Sequence, residues 1–274
     1  LIVVWFIAFY CLNEVGGWTA LFDKTQAVNE QLLTAPGPNK LLTPQFLIAS
    51  CIAILMIPVT QPQLSTRLVI MKDYNALKRM AVAVGIFAML VILPTIIIGL
   101  YGSIYYADAT TADFLSGVLL TEQSNVIASL TIIGLFAAAM STSDSQLFAM
   151  GNEVRGLMKL KETDSLRPIR WFILLFAVSA LVFSLVSSDE LVLLARLSFS
   201  GTATMGPLII LGILADKPQG KFMIWISLLG LLVFILTQLN LFPQKIGALR
   251  MDLFIMIFLS IAAFVNYLYK KNAA

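Results

Sequence analysis

Between Ala137 and Gln146 the chain reads Ala-Ala-Ala-Met-Ser-Thr-Ser-Asp-Ser-Gln, a run of hydroxyls around one carboxylate inside an otherwise apolar stretch. On a helix turning about 100° per residue, Ala138, Ser141, Thr142 and Ser145 fall at i, i+3, i+4 and i+7 on one face, and Asp144 lies about 60° to the side of Ser141. A dehydrated Na⁺ wants a shell of oxygens, mostly neutral. The carbonyl of Ala138 and the hydroxyls of Ser141 and Thr142 can supply part of that shell. Asp144 and Ser145 stand beside them as further candidates. The remainder must come from another helix, best one with an unwound stretch that exposes carbonyls. The competing reading is that Ser and Thr are packing glue between membrane helices. Asp144 weighs against glue alone, because a carboxylate within a span is costly and marks a pathway by default. Its own alternative is a position near the cytoplasmic surface, where water reaches it.

A second constellation is Pro58-Val59-Thr60-Gln61-Pro62-Gln63. Two prolines four apart remove backbone donors, which predicts a break within residues 57–64. Broken helices near the bilayer midplane expose backbone groups that bind solutes and ions. Thr60, Gln61 and Gln63 are therefore candidates for a solute pathway, their amides suited to a polar organic ligand. The alternative is a simple kink with glutamines bonding across helices. Ser198, Ser200 and Thr202, followed by Gly206-Pro207, could line the same polar cavity or merely permit close packing. Arg196 either reaches the external interface or acts as a gate.

These residues need a membrane to hold them. Hydrophobic residues make up 59% of the 274 positions and charged residues 12%, against about 25% charged in soluble domains. So few charges cannot cover a water-soluble surface of this size, and lipid is the expected solvent. Histidine is absent, which excludes a Ser-His hydrolase or a histidine-ligated metal site. The net charge of +3 says little, and the lack of a basic stripe argues against nucleic-acid binding. Cys11 and Cys51 both lie in apolar runs and read as buried small hydrophobes without a disulfide.

The pattern predicts a single all-α transmembrane domain of about eight helices, at 1–20, 44–71, 80–106, 126–150, 168–187, 191–215, 221–240 and 251–269. The first apolar run ends at Leu12, shorter than the roughly 20 residues of a span, so the chain is expected to start inside a helix. Residues 22–43 are expected to form an external loop. Arg67, Lys72, Lys78 and Arg79, then Arg155, Lys159, Lys161, Arg167 and Arg170, then Lys217, Lys221, Lys270 and Lys271 mark one side. The alternate loops carry Asp108, Asp113, Glu122, Asp189 and Glu190. By the positive-inside rule the basic side, with the C-terminus, is cytoplasmic. Lys24, Lys40, Lys245 and Arg250 fit this less cleanly.

Taken in order, these segments resemble the sodium:solute symporter family of proline, pantothenate and sugar cotransporters. Ala137 to Ser145 followed by Gln146-Leu147 is similar to the family's Ala-Ala-x-Met-Ser-Thr-x-x-x-Gln-Leu signature. Pro62-Gln63, Arg67 and Lys72-Asp73 are similar to a second element, and Gly16-Gly17-Trp18 to a weaker one. The resemblance implies a leucine-transporter-type fold of two inverted five-helix repeats. This chain would then run from the end of the fifth core helix through the tenth, plus two peripheral helices. It implies Na⁺ held by Ala138, Ser141 and Thr142 and by a first helix upstream of Leu1. Asp144 stands where some members place a hydroxyl of a second ion site, so this chain either supplies its own acidic ligand or lacks that site.

The expected function is Na⁺-coupled symport of a small organic solute by alternating access in the plasma (inner) membrane. Na⁺ is then the co-transported ion, with no organic cofactor and no catalytic residue. Lipid and solute are the expected partners, and no obligate protein partner is indicated. The alternative is a transporter-like sensor module of a signalling protein. An intramembrane enzyme would need an acid–base pair that these residues do not assemble.

Overall fold

The computed structural model describes residues 1–38, 42–159, 166–186, 198–215, 220–239 and 241–272. Arg196, Asp189, Glu190, Lys40, Lys161, Lys217 and the stretch 191–197 lie outside the described residues. The chain divides into two compact units, Leu1–Lys40 with Ile70–Asp189 and Leu41–Val69 with Glu190–Ala274.

The first unit opens with α1 (Ile2–Val15) and α2 (Trp18–Val28). The sequence predicts one span over 1–20 and then a loop; instead the helix bends by 73° and resumes as far as Val28. The cause is local. Gly16 and Gly17 sit at φ 100 and 97, a region open to glycine but strained for other residues. Gly16 N–H donates to the Asn13 carbonyl at 3.1 Å and Gly17 N–H to the Leu12 carbonyl at 2.8 Å, closing the helix end. Lys24 Nζ then donates to the Val15 carbonyl at 3.0 Å, so this charge in the supposed loop caps a helix.

α5 (Tyr74–Tyr105) follows in this unit, after α3 and α4 of the other, and starts where Asp73 accepts from Ala76 N–H at 2.7 Å. It begins before residue 80, where the apolar run suggested. It also contains Pro94 yet continues as one helix. An interior proline costs about 3 kcal/mol and frees a carbonyl; here the indole Nε1 of Trp5 on α1 donates to that carbonyl, Leu90 O, at 2.8 Å.

After α5 comes α6 (Thr111–Ser116), continued by a π-turn at Gly117–Thr121. α7 (Asn125–Leu157) then runs unbroken and packs on α8 (Arg167–Val186). The core joins Ile7, Ala8, Cys11, Leu12 and Val15 of α1 to Ile97, Ile98 and Tyr101 of α5 and Val118 of the π-turn. Elsewhere large apolar side chains face outward, such as Ile133, Leu135 and Phe136 on α7 and Leu174, Leu175 and Phe183 on α8. Exposed apolar stripes of this length mark a lipid-facing surface.

The second unit contains α3 (Pro44–Thr60), α4 (Pro62–Val69), α9 (Ser198–Leu214, interrupted at Thr204–Met205), α10 (Lys221–Gln238) and α11 (Met251–Asn272). A two-residue hairpin pairs Lys245–Ile246 with Leu249–Arg250 ahead of α11. Phe234 of α10 packs against Met251, Ile255 and Leu259 of α11, and Ala53, Ala203 and Met256 join α3, α9 and α11. Cys51, expected inside, is exposed on α3, while Cys11 is buried.

At the head of α11, Arg250 grips Asp252 with Nε at 3.1 Å and Nη2 at 2.8 Å. Its backbone N–H donates to Gln45 Oε1 at 3.0 Å, and its guanidinium lies 5.4 Å from the Phe46 ring centre. The positive charge that fitted the expected orientation poorly is thus neutralised by its own neighbour.

Candidate functional site

α7 carries the hydroxyl-rich run. Ser124 opens the helix by accepting from Ile127 N–H at 3.5 Å, and with no proline or glycine between Leu135 and Met150 nothing interrupts the turn of 3.6 residues. Ala138, Ser141, Thr142 and Ser145 therefore share a face, with Asp144 beside it. Thr142 Oγ1 donates to the Ala138 carbonyl at 3.0 Å and Ser145 Oγ to the Thr142 carbonyl at 2.9 Å. Both hydroxyls donate to backbone carbonyls of their own helix, which leaves their oxygens as acceptors. Ser141, Thr142 and Asp144 are exposed and Ser145 is half-buried. The face offers oxygens from one side.

The second set collects in the other unit, at the junction of α3 and α4, which meet at 56°. The break falls at Gln61, inside the expected 57–64 window, and Pro62 rather than Pro58 makes it: α3 runs on past Pro58 to Thr60. Pro62 has no N–H, and Leu64 and Ser65 both donate to the Gln61 carbonyl, at 2.9 and 3.0 Å. Among the described residues, the carbonyls of Pro58, Val59 and Thr60 receive no backbone N–H.

Side chains gather around this gap. Gln63 Nε2 donates to Gln61 Oε1 at 3.3 Å, Gln61 Nε2 to Thr202 Oγ1 at 3.1 Å, and Thr202 Oγ1 to the Ser198 carbonyl at 3.0 Å. The donations run in one direction from α4 to α9 and end on backbone. Gln61 and Thr60 are both buried at 8% exposure, and Thr60 is turned away onto the Met56 carbonyl at 3.0 Å. Ser198 enters through its carbonyl, and among the described residues no hydrogen bond joins the Ser200 side chain to this chain of amides. α9 comes close because residue 206 is glycine: a Cβ there would lie 2.7 Å from Met56 Sδ.

One polar cluster escaped the sequence analysis. Glu122, read there only as a loop charge, accepts from Tyr101 at 3.0 Å and from Tyr106 at 2.5 Å. Outside the spans, the Tyr106 phenol is pushed up to about 12, first by the hydrogen bond to Glu122 and then by burial. Glycines seat these rings: Phe114 lies over Gly102 and the Tyr106 hydroxyl over Gly117. Aromatics spaced at 101, 105 and 106 before an acid at 122 carry no motif that would have announced the contact.

The described residues thus define a polytopic α-helical membrane protein, with five helices long and apolar enough to cross a membrane, or seven if each bent pair is one span. Among known proteins, the chain is similar to the sodium/pantothenate symporter of Haemophilus influenzae, with 25% identity over 241 residues, 84% of this chain and 50% of the relative. The chain spans about half the length of the curated relative it matches. No family model and no solved structure matches it.

Proposed function

We propose that this chain is part of a sodium-coupled symporter for a small organic solute. The observation that carries the proposal is the unbroken α7, which sets Ala138, Ser141 and Thr142 on one face, with the Thr142 hydroxyl already drawn onto the Ala138 carbonyl at 3.0 Å. The distant likeness to a sodium/pantothenate symporter supports it. In this reading Na⁺ sits against Ala138, Ser141 and Thr142, with Asp144 and Ser145 on the inward side. The solute passes Gln61, Gln63 and Thr202 at the broken helix, with Thr60, Ser198 and Ser200 nearby. Ion and solute both favour one access state, and the Na⁺ gradient drives their joint release on the other side.

The fold proposed is the leucine-transporter type, forming a single transporter domain in the plasma membrane with the C-terminus cytoplasmic. Transport makes and breaks no bond, so no residue is assigned a catalytic role. The test is uptake by the full-length protein in proteoliposomes across a panel of radiolabelled carboxylates, amino acids and sugars, pantothenate included. Uptake of one class is expected to follow an inward Na⁺ gradient and to collapse when the gradient is removed. Uptake that ignores Na⁺ for every solute contradicts the proposal.

A further inference from the structure

Pro94 deletes the N–H that would bind the Leu90 carbonyl, and the indole of Trp5 supplies a replacement from another helix at 2.8 Å. The contact is directional: one donor and one acceptor, at the one turn of α5 whose own donor is missing. The carbonyl has no water to turn to within hydrocarbon, and a helix with a proline-freed carbonyl bends unless something else holds it. Phe9 lies against the indole with ring centres 5.6 Å apart and the planes tilted by 36°, and α1 packs along α5 through Ile7, Ala8 and Cys11.

We infer that Trp5 is a positioning residue, a latch across a hinge built into α5 at Pro94. With the indole in place, α5 is continuous from Tyr74 to Tyr105 and moves as one body with α1. With the indole withdrawn, the Leu90 carbonyl is uncompensated and α5 flexes at Pro94. The inference stands whether or not the protein carries sodium.

A double-mutant cycle tests it, read by hydrogen–deuterium exchange of the full-length protein in nanodiscs over peptides covering residues 88–98. Trp5→Phe keeps an aromatic ring and removes the donor, and exchange around Pro94 is expected to quicken at least ten-fold. Pro94→Ala gives Leu90 an intrahelical donor, so exchange stays as it was or slows. In the double variant, loss of the indole is expected to add nothing. Equal acceleration by Trp5→Phe in both backgrounds, or none in either, overturns the latch, since packing loss alone does not depend on residue 94. If Trp5→Phe fails to fold, benzothienylalanine at position 5 replaces N–H by sulfur and preserves the ring area. Recovery of a folded, slowly exchanging protein when Pro94→Ala is added to that variant supports the latch, and failure to recover overturns it.

Discussion

Pro94 in α5 and Pro62 between α3 and α4 delete the same backbone hydrogen bond, yet α5 runs on from Tyr74 to Tyr105 while α3 and α4 meet at 56°. The difference lies in the neighbours. Around Pro94 stand Ile92, Leu93 and Ile96, the adjacent Thr95 hydroxyl donates to the Ile92 carbonyl at 2.7 Å, and one indole from α1 reaches the Leu90 carbonyl. Around Pro62 stand Thr60, Gln61 and Gln63, whose amides bond to one another and to Thr202. A proline therefore marks where a helix can break, and what its neighbours bond to differs between the two sites. The unbroken case lies in the core of its unit, where Ile97, Ile98 and Tyr101 pack against α1. The broken case leaves a directed chain of amides from Gln63 through Gln61 to Thr202 across the gap.

Reversing the broken case should have the largest effect. Pro62→Ala restores an N–H and a strong helix former, and it should join α3 to α4 and pull Gln61 away from Thr202. Spin labels at Ile48 and Val69, both exposed, should move apart as the bend opens, and solute uptake should fall more than about ten-fold if the break is the binding site. A straightened helix with normal uptake would separate the bend from function. A smaller effect is expected at Asp144, which is exposed on α7. An exposed charge contributes at most about 1 kcal/mol, so Asp144→Asn should raise the Na⁺ concentration for half-maximal uptake by no more than about five-fold and leave solute affinity at saturating Na⁺ unchanged. Wild-type behaviour at every Na⁺ concentration would return Asp144 to the solvated end of the helix.

Much of this was legible because apolar length and proline position act locally. The break near Gln61 follows from Pro62, and the unbroken α7 from the lack of proline within it, while Pro58 leaves α3 intact. The turn at Gly16–Gly17 was read past, because apolar residues continue on both sides and only positive φ reveals the bend. Pro94 passed unnoticed for the converse reason: its compensation comes from Trp5, 85 positions away in sequence. Arg250 looked like a misplaced charge until the hairpin brought it onto Asp252. Pairings across distant segments leave no periodicity to read, and the Glu122 contacts with Tyr101 and Tyr106 are of the same kind.

The account rests most heavily on the α7 face as an ion site, and direct Na⁺ binding to the purified full-length protein tests it. The Ser141→Ala/Thr142→Ala double variant removes both hydroxyls and keeps the helix, alanine being the best helix former. Circular dichroism should match the parent, and ²²Na⁺ affinity should weaken at least several-fold. Equal Na⁺ affinity in a variant of unchanged fold would contradict the account and leave these hydroxyls as contacts between packed helices.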